Sequence, residues 1–380
     1  MSVKIKVAVD NKIPMLKDVL EPVADVFYYN PFDMTKEAVK DKDALIIRTR
    51  TKCSEELLKD SSVKFIATAT IGYDHIDTAY CESNNIYWMN APGCNSSSVM
   101  QYISSAIVSV AGRKKLTFDK LTLGIVGVGN VGSKVAKTAK LLGLNVLLND
   151  PPRARKEGND KFVTLTQLVE QSDIITFHVP LNKTGEDKTF HLADDSFFNS
   201  FKEPKIVFNS SRGPVVDNNA LKNAIKSGKV SAALLDVWEN EPDIDRELLS
   251  LVDFATPHIA GYSSDGKANG TAACVNGINE FFKLGMAKNW FPPQIPIPTN
   301  PKQIVIECGG KNKQEILTEA ILATYKIADD DKTLRNSVET FEKQRGSYPV
   351  RREFPYYEIK LSNGNEEIKK ILETLGFALV

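Results

Sequence analysis

Apolar positions in the first hundred residues follow two rhythms. Short β-rich runs, VKIKVAV at 3–9, ALIIR at 44–48, KFIATAT at 64–70 and IYWM at 86–89, alternate with stretches of helical spacing. One such stretch begins near Ile13, and others lie in SEELLKD and HIDTAYCESN. Strands joined by helices of this kind are βαβ units, which impose a parallel sheet. Val99, Ile103, Ala106, Ile107 and Val110 then recur at i, i+4, i+7, i+8 and i+11. They form one helix face whose start lies among the capping residues Asn95, Ser96, Ser97 and Ser98. A second series opens at 121–150 and continues through DIITFHVP (173–180), KIVFNSSRG (205–213) and AALLDVWE (232–239), with a helix over 217–228 closed by Gly228. The pattern predicts an α/β fold of two doubly wound parallel-sheet lobes in series. The helical segment 267–284 is too short to stand alone, so it is expected to pack back onto the first lobe.

Pro292, Pro293, Pro296, Pro298 and Pro301 mark a stiff extended linker. Beyond it QIVIE, NKQEILTEAILATYKIA, FPYYEIKL and NEEIKKILETLGF predict a small α+β domain without a motif that carries chemistry. Such a tail on a two-lobed enzyme serves oligomerisation or regulation. The 380 residues fit two or three domains at about 150 residues each.

Charge and cysteine content narrow the class of partner. Lys+Arg and Asp+Glu both number 48, and the basic residues are scattered among acids, so no stripe is laid out for nucleic acid. The five cysteines contain no CxxC, which fits reduced thiols better than a disulfide framework or a zinc knuckle, and no metal site is expected. The stretch from Ser83 to Gly112 lacks charge, yet Asn, Ser, Pro and Gln interrupt it too often for a membrane span. With no signal-type apolar region near the N-terminus, a cytoplasmic location is expected.

Gly127-Val128-Gly129-Asn130-Val131-Gly132 follows an apolar strand and opens a helix. In such a turn the first glycine bends the chain, the second admits a pyrophosphate to the backbone, and the third lets helix and strand approach. Asp150 ends the next strand 18 residues past Gly132, where an acid receives the ribose hydroxyls of a dinucleotide. Its charge repels a 2′-phosphate. Arg153 and Arg155 follow closely, but Pro151-Pro152 is expected to direct the chain away, so the expected cofactor is NAD.

Three later strand ends carry groups suited to hydride transfer. Arg212 in NSSRGPVVD offers a bidentate fork for a carboxylate. His258 in TPHIAG is a base of suitable pKa for a hydroxyl proton, and Glu241 in DVWENEP is a carboxylate that could orient it. These contexts, with GVGNVG and Asp150 in the same order, resemble the D-isomer-specific 2-hydroxyacid dehydrogenases over residues 1 to about 285. The resemblance implies a catalytic triad of Arg212, Glu241 and His258, with His258 as acid/base. It also implies a substrate lobe of residues 1–98 completed by 259–288, a Rossmann NAD lobe over 99–258, and catalysis in the cleft.

TATIGYDHID, NAPGCNSSSV, VVDNNAL and HIAGYSSDGKANGT resemble the branch of that family that oxidises a phosphorylated four-carbon 2-hydroxy acid on the route to pyridoxal phosphate. That branch carries a C-terminal dimerisation domain, here 289–380, which implies a homodimer. By the same resemblance Thr49, Thr70, Arg212 and Tyr262 contact substrate. Asp150, Val179, Ser210, Ser211, Arg212, Asp236 and Gly261 contact NAD beside the glycine turn. Gln101 and Asp265 depart from the branch's usual acid and glutamate. A dehydrogenase of another hydroxy acid, such as 3-phosphoglycerate, and a non-catalytic NAD-sensing corepressor are the alternatives.

The segment Arg48-Thr49-Arg50-Thr51-Lys52 suits a phosphate. Arg351 and Arg352 are expected on the tail's surface, or else reaching a neighbouring active site. His75 is expected to cap a helix start, His178 to face the cofactor cleft, and Cys94 to be a small residue in a tight turn; His191 has no informative context.

Overall fold

A computed structural model describes residues 4–380; Val3 of the first expected strand lies outside them. The chain forms two compact units, one of residues up to 95 with 263–297, the other of 96–262 with 298–380.

The first unit holds a parallel sheet of five strands, β1 (Ile5–Asp10), β2 (Ala24–Tyr29), β3 (Ala44–Ile47), β4 (Phe65–Thr68) and β5 (Tyr87–Met89), in the order β2-β1-β3-β4-β5. β3 and β4 are buried throughout, as strands covered on both faces must be. The helix Ser264–Phe282 returns to this sheet, and its Cys274, Val275 and Ile278 share a core with Val7, Val9 and Phe65. The helix expected near Ile13 does not form. Residues 11–23 are turns, with Met15 and Asp18 at φ of 60° and 65°, and they lead into the half-exposed strand β2. Ile13, Leu16 and Leu20 are buried all the same, so the apolar spacing is met by loops that Pro14 keeps from winding.

The second unit carries six parallel strands, β6 (Thr122–Val126), β7 (Asn145–Asn149), β8 (Ile174–Phe177), β9 (Lys205–Asn209), β10 (Val230–Leu235) and β11 (Phe254–Ala255), ordered β11-β10-β9-β8-β6-β7. The chain steps from β6 outward to β7 and then returns to β8 on the other side. That reversal opens a crevice beyond the carboxyl ends of β6 and β8, where doubly wound sheets bind ligands.

The C-terminal segment adds a parallel sheet of β12 (Gln303–Glu307), β13 (Glu358–Ser362) and β14 (Ala378–Leu379). Ile316, Leu317 and Ile321 of its helix Lys313–Thr324 share a core with Ile103 and Ile107 of the helix Ser96–Lys114. Asp331 accepts the backbone N–H of Ala255 at 2.7 Å, which ties the segment to β11. Among the described residues no helix is long and apolar enough to cross a membrane. The five cysteines are free.

Candidate active site

The glycine turn sits at the reversal point. Gly127 has φ of +89°, and a Cβ there would lie 2.6 Å from the carbonyl oxygen of His178. A Cβ on Gly132 would lie 2.0 Å from the carbonyl oxygen of Gly127, so helix and strand meet at a distance only glycine permits. Nothing lies within 4 Å of a Cβ at Gly129, which leaves the backbone open at the start of the helix Asn130–Leu142. Val131 lies in that helix's first turn, and Val179 packs against Gly127 from the end of β8. Asp150 accepts Val128 N–H at 2.8 Å and Arg153 N–H at 3.1 Å, and so stands at the turn as the spacing required. A free helix N-terminus, an open glycine and an acid at the neighbouring strand end fit a dinucleotide.

Pro151-Pro152 does not lead the chain away. The prolines open the helix Pro151–Glu157, and one turn brings Arg153 back so that Nη1 donates to Val128 O at 2.6 Å. Glu157 holds the same guanidinium at Nε and Nη2, 2.7 Å each, and so offsets its charge. Arg155 pairs with Glu186 and Asp187.

Arg212, Glu241 and His258 follow β9, β10 and β11, three neighbouring strands. Asn209 shapes the first of these turns: its Oδ1 accepts Ser211 N–H and Oγ–H, and its Nδ2 donates to Arg212 O. Ser210 lies in the same turn with its hydroxyl buried. Arg212 is extended at φ −141° and donates from Nη1 to Ser211 O. A Cβ on Gly213 would lie 1.9 Å from Trp238 O, so the Arg212 turn packs directly on the loop that carries Glu241.

Glu241 Oε1 accepts Trp238 N–H at 2.9 Å, and Oε2 lies 2.8 Å from His258 Nδ1. Burial would push Glu241 up, but the hydrogen bond and charge of His258 outweigh it, and the carboxyl sits below its ordinary value. With Nδ1–H held, the neutral imidazole has its basic nitrogen at Nε2, which has no protein partner among the described residues. His258 stands at φ +57°.

The loop beyond it is gripped from below by Asp236, 1% exposed, which accepts Thr256 Oγ–H, Ile259 N–H and Ala260 N–H at 2.6–3.0 Å. Its carboxyl, pushed above its ordinary value by burial, thus already holds three donors of the chain. Gly261 and Tyr262 complete the loop, and Tyr262 meets Tyr348 edge to face at 6.0 Å.

Thr49 and Thr70 belong to the first unit, just past the carboxyl ends of the adjacent strands β3 and β4. Thr70 Oγ1 is 2.8 Å from Thr68 Oγ1 and donates to Gly72 O. Thr49 lines a cavity of about 450 Å³ with Lys52, Ser54, His75, Asp74 and Asp77.

Other assignments change. His75 caps no helix: Asp77 does, accepting Tyr80 N–H, because a carboxylate reaches the first-turn amides and the imidazole is turned to Thr68 Oγ1 at 3.0 Å. Burial pushes His178 down to about 3, so it is neutral and hydrogen-bonded to Thr176, while its carbonyl underlies Gly127. Arg351 is not a surface residue: it is 4% exposed, and Nη2 donates to Ala260 O of its own chain at 2.5 Å. Arg352 stacks on Tyr356 at 4.3 Å. Sequence reasoning gave no role to His191, which bridges Glu239 and Asp217, nor to the Arg351 contact; neither has a local signal.

Residues 104–260 match the family model for the NAD-binding domain of D-isomer-specific 2-hydroxyacid dehydrogenases, and 298–376 match a domain of unknown function. The chain is 52% identical over 355 residues to erythronate-4-phosphate dehydrogenase of Bacteroides thetaiotaomicron, covering 93% of this chain and 99% of that one. It is 40% identical to the enzyme of that name from Porphyromonas gingivalis, over 98% and 99% of the two chains. A D-lactate dehydrogenase from Aquifex aeolicus, solved with NAD and lactic acid, superposes with a TM-score of 0.62 at 25% identity, over 73% of this chain and 95% of that one.

Proposed function

The chain belongs to the family of erythronate-4-phosphate dehydrogenases, and from that premise we propose that it oxidises 4-phospho-D-erythronate to 3-hydroxy-2-oxo-4-phosphooxybutanoate with NAD, in the synthesis of pyridoxal 5′-phosphate. The observation that carries the reading is the His258–Glu241 pair, joined at 2.8 Å through Nδ1 with Nε2 left to meet a hydroxyl. Bound NAD supplies the acceptor for the hydride that leaves C2. Arg212 holds the substrate carboxylate in its fork, with the nascent carbonyl beside it. His258 Nε2 takes the hydroxyl proton as the C=O bond forms, and Glu241 fixes the tautomer and stabilises the imidazolium.

Thr49, Thr70 and Tyr262 contact the substrate, and Lys52 beside Thr49 gives its phosphate a cation. Gly127–Gly132 would hold the pyrophosphate of NAD and Asp150 its ribose, with Val179, Ser210, Ser211, Asp236 and Gly261 beside them. Residues 1–98 with 259–288 serve the substrate, 99–258 the cofactor, and 289–380 join two copies as a cytoplasmic homodimer.

The test is NADH formation by the purified protein given NAD and 4-phospho-D-erythronate, with a 2-oxo acid acceptor in parallel in case bound NADH blocks turnover. Selective turnover is expected. Activity only on 3-phosphoglycerate or D-lactate would discard the substrate, and NAD binding without any turnover would favour a sensor. Light scattering at twice the chain mass is expected for the dimer.

A further inference from the structure

His258 stands on strained backbone, since a non-glycine residue at φ +57° persists only where its surroundings over-determine it. One set of constraints is local to the nucleotide sheet. His258 N–H donates to Asp236 O at 2.7 Å, and the Asp236 carboxylate takes the next two amides. The carbonyls of those same two residues face a different partner. Arg351, from the C-terminal segment, donates from Nη2 to Ala260 O at 2.5 Å and lies 3.5 Å from Ile259 O.

The guanidinium sits in a cage, 4.5 Å over the ring of Tyr325 and 5.8 Å from that of Tyr348. Both phenols donate to Asp330, which places a carboxylate beside the buried cation. Arg351 Nε and Nη1 have no hydrogen-bond partner among the described residues. A buried guanidinium with two idle nitrogens is costly to keep, and the hydrogen bonds it does make go to the two carbonyls directly after His258. Asp236 holds the amides of the loop and Arg351 the carbonyls, one from each side.

We propose that Arg351 is a positioning residue for His258, so that the C-terminal segment shapes the active site of its own chain as well as any assembly it mediates. It acts through the backbone of residues 259–260 and touches no reacting group.

The experiment compares wild type with Arg351→Ala and Arg351→Met in kcat, KM and NAD affinity, together with hydrogen exchange of the amides of 258–262. The alanine variant should lose about 10- to 100-fold in kcat, the scale of a small misplacement of a catalytic group, while NAD affinity changes less than about 3-fold. Millimolar guanidinium should restore part of that kcat by refilling the cage, which a general loss of stability would not allow. Exchange at 258–262 should quicken while β9 stays protected.

Should the alanine variant fail to fold, the methionine variant, which refills the space without a donor, carries the test with the same expected loss. A folded variant with wild-type kcat and unchanged exchange would overturn the proposal. The exchange readout needs no substrate, so it separates failure here from failure of the acid/base role given to His258.

Discussion

His258 and His191 are both drawn to glutamates of one loop, two residues apart, yet they are left in different chemical states. His191 places Nε2 2.7 Å from Glu239 Oε1 and Nδ1 3.3 Å from Asp217 Oδ2, so both nitrogens are engaged. Glu239 Oε2 and Asp217 in turn hold the first amides of the helix Asn218–Lys226. His258 gives one nitrogen to Glu241 and keeps the other. A histidine–carboxylate pair is therefore no sign of catalysis in itself. The unspent nitrogen, at the carboxyl ends of the strands, separates the proposed base from the brace.

The comparison breaks or sharpens most at His258. H258A should reduce kcat by about 10²- to 10⁴-fold, the usual worth of a positioned acid/base, with NAD affinity by fluorescence titration nearly unchanged. Turnover near the wild-type level would remove His258 from the chemistry.

Next in size is E241Q, which keeps the shape and removes the charge. A charge-assisted hydrogen bond worth ~1.5–3 kcal/mol corresponds to roughly 10- to 150-fold in kcat, less than for H258A. A larger loss than for H258A would mean Glu241 does more than orient the ring.

Glu241 also predicts an acid-side dependence of stability. Its folded pKa lies below the ordinary 4.5, so its contribution is present above that value and is lost as pH falls through the folded one. Urea midpoints of wild type should fall more steeply than those of E241Q on going from pH 6 into that range. Parallel curves would contradict the lowered pKa.

The smallest catalytic effect belongs to His191. H191A should keep kcat within about 3-fold while losing about 1–3 kcal/mol of stability, the cost of unpaired partners. A kcat loss matching that of H258A would erase the distinction between the two histidines.

Much of this site is legible locally. The glycine turn and Asp150 announce themselves by spacing, since a tight turn, a helix start and a strand end follow one another within about thirty residues. The proposed triad is legible only from the context of each member, because no period connects Arg212, Glu241 and His258. The caps at Asp77 and Asp217 are local too, yet His75 shows that an eligible neighbour is easily mistaken for the cap. Residues 11–23 mislead for a related reason: apolar spacing reports burial, and turns can bury Ile13, Leu16 and Leu20 as a helix would. Pro151-Pro152 misleads as well, since a proline pair suggests departure whereas proline in a first turn starts a helix and returns Arg153 to the glycine turn.

The amino-acid sequence by itself determined the α/β alternation, the dinucleotide turn with its acid, the proline linker and the identities of the three groups at the strand ends. Periodicity, turn chemistry and capping act over a few residues, so one stretch of chain is enough to express them. The tertiary structure alone decided that His191 spends both ring nitrogens while His258 keeps one, that Asp236 lies under the His258 loop, and that Arg351 reaches that loop from 91 residues away. Those outcomes depend on which strand ends and which distant segment are brought side by side. Buried hydrogen bonds and charges are settled by the partners that packing supplies.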